Sequence, residues 1–199
     1  MRSFLTLMAT LICGASLCAA QASATLSAPA RGARSLPNGL NFTYDAQHDQ
    51  INSSGLAMKA HAQSDPTITP TTGTINVTIN AKLVSHFPKG TKIHYSLTVI
   101  GGQIDVVNGA IDGAIETAYA EASAGSGTSS VTLTIPYSWA LPQDPIAANG
   151  LILAFGASAV NPWPDSSKND VYRSTLQVDG VESLPANGAT ASYVFDVTL

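Results

Sequence analysis

The stretch Thr74-Ile-Asn-Val-Thr-Ile-Asn-Ala-Lys-Leu-Val84 decides the fold class of this chain. Every second side chain is apolar, beginning with Ile75, and the side chains between them are polar until the last residue. Successive side chains of a β-strand point to opposite faces, so this alternation predicts a strand with one buried face and one solvated face. A sheet with one apolar face has to cover that face with a second layer.

Similar apolar patterns recur along the rest of the chain. Alternating or continuous apolar runs occupy residues 40–44, 56–60, 93–99, 131–139, 151–160, 171–178 and 191–199. Gly, Pro and Asn separate the runs, and no fixed period repeats, which disfavours a solenoid or a propeller. The sequence therefore predicts an all-β fold, an antiparallel β-sandwich, with the polar stretch 45–54 as a loop between two short strands.

Two local predictions accompany this fold. Residues 111–122 fit a short helix through Ile111, Ala114 and Ala118, and they also fit a strand. Because strands are predicted on both sides of residues 111–122, a strand is favoured there. The stretch 87–90, Phe-Pro-Lys-Gly, suits a tight reversal and predicts that the strands on either side of it pair as a β-hairpin. His86 and His94 would then share the solvent face of that hairpin.

The first 24 residues have the three regions of a secretory signal peptide. Arg2 gives a basic start, an apolar stretch covers residues 4–17, and the small residues Ala22 and Ala24 suit cleavage by a signal peptidase. About 15 apolar residues are too few to span a bilayer, which needs about 20. We therefore expect an exported protein that is secreted, periplasmic or displayed at the cell surface.

The remaining sequence predicts one domain without disulfides. Both cysteines, Cys13 and Cys18, lie in the signal peptide. About 175 residues are enough to bury about 70% of the unfolded chain's surface in one core. The predicted organisation is a signal peptide at 1–24, a flexible leader at 25–38 and a single β-sandwich domain at 39–199.

Composition excludes some partners. Charged residues make up 11% of the chain, and the formal net charge is −4. Binding to nucleic acid depends on a surplus of Lys and Arg, so no nucleic-acid partner is predicted. No apolar run after the signal peptide approaches the length of a membrane span, so none is predicted in the mature chain.

Catalytic motifs are absent from the sequence. It contains no Gly-x-Ser-x-Gly elbow, His-Glu-x-x-His motif, phosphate loop or dinucleotide fingerprint, so no catalytic residue and no cofactor is predicted. Asp45, His48 and Asp49 could ligate a metal, but a solvated loop fits them better because zinc sites usually need three or four protein ligands and His48 is the one histidine nearby in the sequence. Residues 165–170 lack the glycine of a calcium loop, and no metal site is predicted.

Three aromatic residues, Tyr137, Trp139 and Trp163, are the candidate binding residues. Trp139 closes a strand and Trp163 lies between two prolines, which predicts positions at sheet edges. Exposed rings there could stack on sugars. The alternative, which is favoured, is that Trp139 caps the core and Trp163 stiffens a loop.

The strand pattern resembles immunoglobulin-like sandwiches of secreted bacterial proteins in a general way. The Cys and Trp signature of true immunoglobulin domains is absent, and a fold alone implies no function. Three hypotheses follow. The favoured one is a non-enzymatic structural or adhesive module of the cell envelope, bound to an unknown envelope protein. The others are a carbohydrate-binding module with a glycan as partner and a cation-dependent hydrolase with dispersed aspartates.

The signal peptide gives a first testable prediction. Mass spectrometry of the exported protein should find an N-terminus within a few residues of Thr25 and no lipid, because Leu17 stands before Cys18 where lipidation requires a small residue. A protein acylated on Cys18 would contradict this prediction and would place the domain at a membrane surface.

Overall fold

The computed structural model describes residues 40–55, 57–59, 69–84, 86–105, 110–125, 127–140, 149–161 and 170–199. The predictions for 1–24, for 25–38, for Trp163 and for 165–169 lie outside these residues. Every regular element in the described ranges is a strand, so the all-β prediction is confirmed. The strands are β1 (Asn41–Asp45), β2 (Gln50–Ser54), β3 (Ala57–Lys59), β4 (Thr71–Lys82), β5 (Lys92–Asp105), β6 (Ala110–Ser123), β7 (Thr128–Trp139), β8 (Asn149–Asn161), β9 (Asp170–Ser183) and β10 (Thr190–Thr198).

These strands form three sheets that pack in layers. β1 and β2 make an antiparallel hairpin, a three-stranded sheet has the order β10-β4-β7, and a five-stranded sheet has the order β3-β6-β5-β8-β9. Residues 111–122 lie in β6, so the strand was the right alternative there. β10 runs parallel to β4, and β3 runs parallel to β6. The sandwich is therefore mixed rather than purely antiparallel.

The main core lies between the three-stranded and five-stranded sheets. Ile75, Val77 and Ile79 of β4 are fully buried, as the alternation predicted. The rings of Phe155 on β8 and Phe195 on β10 meet across the two layers with their centroids 4.0 Å apart. Apolar side chains from both sheets thus exclude water along the whole length of β4.

The predicted pairing of β4 with β5 is wrong. The tight turn is present, with the Thr91 amide donating to the Pro88 carbonyl at 3.2 Å, but the chain crosses there from one sheet to the other. β5 pairs instead with β6 and β8. The period of a strand shows which side chains are buried and carries no information about which strand lies beside it.

A third layer covers the outer face of the five-stranded sheet. The β1–β2 hairpin and the residue before it lie there, and Leu40 packs on Ile100 and Ile152 in a second apolar cluster. The predicted loop over 45–54 is therefore wrong for 50–54, which form β2. Polar residues suit this strand because it belongs to an outermost layer and its side chains are mostly exposed.

Two neighbouring residues of β7 test the layer arrangement. Leu133 is 3% exposed and faces the main core, whereas Thr132 is exposed and its hydroxyl lies 2.8 Å from that of Thr78. Leu133→Asp should abolish soluble folding, because an unpaired buried charge costs several kcal/mol out of a typical stability of about 5–15 kcal/mol. Thr132→Asp should stay soluble and melt cooperatively. Equal soluble yields and melting temperatures would contradict the assigned facing.

Candidate functional site

A solvent-open groove runs along the outer face of the five-stranded sheet, beside the β1–β2 hairpin. Its volume is about 400 Å³. One wall is the start of β2, the floor is β5, and the other wall is β6. We call it the hairpin groove, and its residues are Asp49, Gln50, Ile51, Asn52, Ser96, Leu97, Thr98, Thr117, Ala118 and Tyr119.

The exposed chemistry of the hairpin groove is mixed. Gln50 and Asn52 are exposed polar residues of the hairpin wall, and Thr117 is an exposed polar residue of the β6 wall. Tyr119 is 46% exposed, which is unusual for a large aromatic residue within a sheet. The groove therefore combines hydrogen-bonding groups with an accessible aromatic ring.

His94 lies at one end of this groove, two residues before Ser96 on β5, and contacts both walls. Its Nδ1 is 2.9 Å from Oδ2 of Asp49, and its Nε2 is 3.8 Å from Oε1 of Glu121. The ring packs edge to face with Tyr119, at 5.5 Å between centroids. The predicted solvent position of His94 is wrong: the residue is only 4% exposed, because the hairpin covers this face of β5.

Two further contacts dock the hairpin on the sheet. The Tyr44 ring lies over Gly156, where an added Cβ would come within 2.9 Å of it, and the Tyr44 hydroxyl donates to Ser158 Oγ at 3.2 Å. Ser96 Oγ donates to the backbone carbonyl of Asp49 at 2.9 Å. Burial raises the pKa of the Tyr44 phenol, so this hydroxyl stays protonated and remains a donor.

Tyr119 is held in a fixed orientation. Its hydroxyl donates to Oε1 of Glu121 at 2.9 Å, two residues along the same face of β6. Burial raises the pKa of the Tyr119 phenol, and the hydrogen bond to Glu121 and the charges of Asp49 and Glu121 raise it further. The ring next to the groove is therefore neutral and anchored.

Tyr137 and Trp139, two of the predicted binding residues, lie in the main core. They are 5% and 1% exposed, and their rings stack with centroids 4.3 Å apart. Trp139 packs so closely over Gly101 that a Cβ there would overlap its ring. Neither ring is exposed for stacking on a sugar, and the burial of Trp139 agrees with the favoured alternative that it caps the core. Every second residue of β7 faces inward up to its last position.

The three titratable residues of the β1–β2 turn do not share one partner. Nδ1 of the exposed His48 lies 2.7 Å from Oδ2 of Asp45, and this hydrogen bond lowers the pKa of the Asp45 carboxyl. Asp49 reaches His94 instead. In the described part of the chain, no group of three His, Cys, Asp or Glu side chains is placed to hold a metal ion.

Both ring nitrogens of His94 lie near carboxylates, so the imidazole contacts the side chains of both walls. Sequence reasoning missed Tyr119 as a site residue. Its signal was present, since Tyr119 lies between the small residues Ala118 and Ala120 and shares the period of two with Ile115 and Thr117, which marks all three as one face of β6.

Comparison of the chain with protein-family models, with characterised proteins and with solved structures finds no significant match. Within the ranges that the structure describes, no helix has the length and apolar character of a membrane span. The function of the hairpin groove therefore has to be argued from its own chemistry.

Four tyrosines with raised pKa values give a prediction about alkaline pH. Burial raises the pKa of Tyr44, Tyr95, Tyr119 and Tyr137 above the ordinary value of about 10. Because deprotonation then favours the unfolded chain, the stabilisation is complete below about pH 10 and is lost as the pH rises towards the folded-state values. The melting temperature should fall steeply above about pH 10.

The tyrosine contribution can be isolated with two variants. Tyr44→Phe removes one buried phenol, so its melting temperature should fall less between about pH 9 and about pH 11 than that of the unmodified protein. Tyr172→Phe changes a residue that is 46% exposed and should leave the slope unchanged. Equal slopes for all three proteins would show that burial does not raise the pKa of Tyr44 in the folded protein.

Proposed function

We propose that this protein is an exported, non-enzymatic adhesion module that binds a carbohydrate in its hairpin groove. The observation that carries the proposal is the exposed ring of Tyr119 beside polar side chains in an open groove of about 400 Å³. Ligand sites of small molecules commonly have about 300–1,000 Å³. Export is supported by the signal-peptide pattern of residues 1–24.

Sugars need two kinds of contact, and the groove offers both. Their hydroxyl groups pair with amides and hydroxyls, such as those of Gln50, Asn52 and Thr117. Their C–H faces pack on apolar or aromatic surfaces, for which Tyr119 is available. A purely apolar partner would leave the amides unpaired, at a cost of about 1–3 kcal/mol for each buried group.

The shape of the β6 wall favours a chain of sugars over a single ring. Ile115 is 41% exposed and lies on the same outer face as Tyr119, with Thr117 between them. Side chains four residues apart on a strand are about 13 Å apart, which is longer than one sugar ring. An extended oligosaccharide can contact both residues at once.

The charges at the groove favour a ligand without acidic groups. The described lining residues include Asp49 and neither lysine nor arginine. A polyanionic glycan would meet this carboxylate and, beside the groove, Glu121, with no guanidinium or ammonium among the lining residues to pair with. We therefore expect an uncharged polysaccharide.

Substitution of Tyr119 tests the proposal. Tyr119→Ala should weaken binding to a neutral polysaccharide about tenfold, which corresponds to about 1.4 kcal/mol, because the stacking surface is lost. Affinity electrophoresis in gels that contain different neutral polysaccharides, followed by calorimetry on the best ligand, measures the effect.

The matched control is Tyr172→Ala, which removes an equally exposed tyrosine, 46%, from β9 on the other side of β5 and β8. It should bind as the unmodified protein does. If no neutral polysaccharide retards the protein, or if both variants lose affinity equally, the groove is not a carbohydrate site.

A further inference from the structure

The two walls of the hairpin groove come from parts of the chain that are not paired in one sheet. Asp49, Gln50 and Asn52 belong to the hairpin layer, whereas Thr117 and Tyr119 belong to β6 of the five-stranded sheet. β2 and β6 share no ladder, and the backbone ties the two walls only where β2 ends at Ser54 and β3, which pairs with β6, begins at Ala57. At the opposite end, beside Asp49, side chains have to set the width of the groove.

His94 is placed to do so. Its Nδ1 bonds to Asp49 on the hairpin wall, and the opposite side of the same ring contacts Tyr119 and Glu121 on the β6 wall. Of the other docking contacts, one joins the hairpin to Ser96 on β5, the floor of the groove, and one joins it to Ser158 on the neighbouring strand β8. A single buried ring thus connects both walls.

We propose that His94 is a positioning residue that sets the width of the hairpin groove by linking Asp49 on one wall to Glu121 and Tyr119 on the other. That the groove binds a ligand rests on the function proposed above. The link itself is a property of the fold, and it can be measured without any ligand.

The protonation state of His94 changes the link. A neutral imidazole has one N–H and can donate to one wall only, whereas an imidazolium donates from both nitrogens and forms charge-assisted bonds to both carboxylates. Protonation of His94 therefore draws the walls together. Among the described residues, the titratable groups around the ring are Asp49 and Tyr44 on the hairpin, Tyr119 and Glu121 on β6, and Lys92 on the same face of β5. On β8, the residue opposite His94 is the uncharged Ser158.

Spin labels can measure the wall separation directly. Both natural cysteines precede residue 25, so Gln47→Cys and Ser123→Cys label one exposed site near Asp49 and one near Glu121 in the mature protein. Continuous-wave electron paramagnetic resonance should show stronger dipolar broadening at about pH 5 than at about pH 8. With His94→Asn, whose amide replaces Nδ1 but does not reach β6, the broadening should become weaker and independent of pH.

The matched control is His48→Asn, which removes an exposed histidine of the same hairpin that also pairs with an aspartate. It should retain the pH response of the unmodified protein. If His94→Asn does not fold, His94→Gln gives the same comparison with a longer amide. Equal broadening in the unmodified protein and the His94 variant at both pH values would overturn the proposal.

Ligand affinity provides the second readout. For the unmodified protein, affinity for the neutral polysaccharide should change about fivefold between about pH 8 and about pH 5, and His94→Asn should abolish this dependence. Binding that is unaffected by the variant and by pH would overturn the role of His94 and leave the proposed function standing. If no polysaccharide binds but the wall separation depends on pH, the role of His94 stands and the proposed function is overturned.

Discussion

The five-stranded sheet has two faces, and its central strands have to be covered on both. β5 is buried from Ile93 to Ile100, and β8 is buried from Leu151 to Val160. The three-stranded sheet covers one face, and the small β1–β2 hairpin covers part of the other. The hairpin is narrower than the sheet, so its edge leaves a step beside β6. The groove is a consequence of that difference in width.

Alternation in the sequence was enough to predict the class of fold and the facing of β4, β7 and β10, because burial follows the period of the strand. It could not predict which strands pair. The parallel pair of β4 and β10 joins Asn80 to Asp196 across 116 residues, and no local pattern carries that information. The predicted pairing of β4 and β5 failed for the same reason.

The candidate site was harder to foresee than the fold. Asp49, His94 and Tyr119 come from three elements far apart in sequence, and none of them belongs to a motif. Their proximity depends on the docking of the hairpin, which in turn depends on Tyr44 finding space over Gly156. The position of Tyr137 and Trp139 at a strand end suggested a surface location. Both rings lie in the main core instead, where Trp139 fills the space above Gly101.

The long-range pairing of β4 with β10 also affects when the protein can fold. The main core needs side chains from both strands, so it cannot close until a loop of more than a hundred residues has been brought together. Folds dominated by such distant contacts fold slowly, on a scale of about milliseconds to seconds. A chain that closes its core late stays extended for longer after synthesis. Such a delay leaves the apolar strands exposed until the sandwich forms.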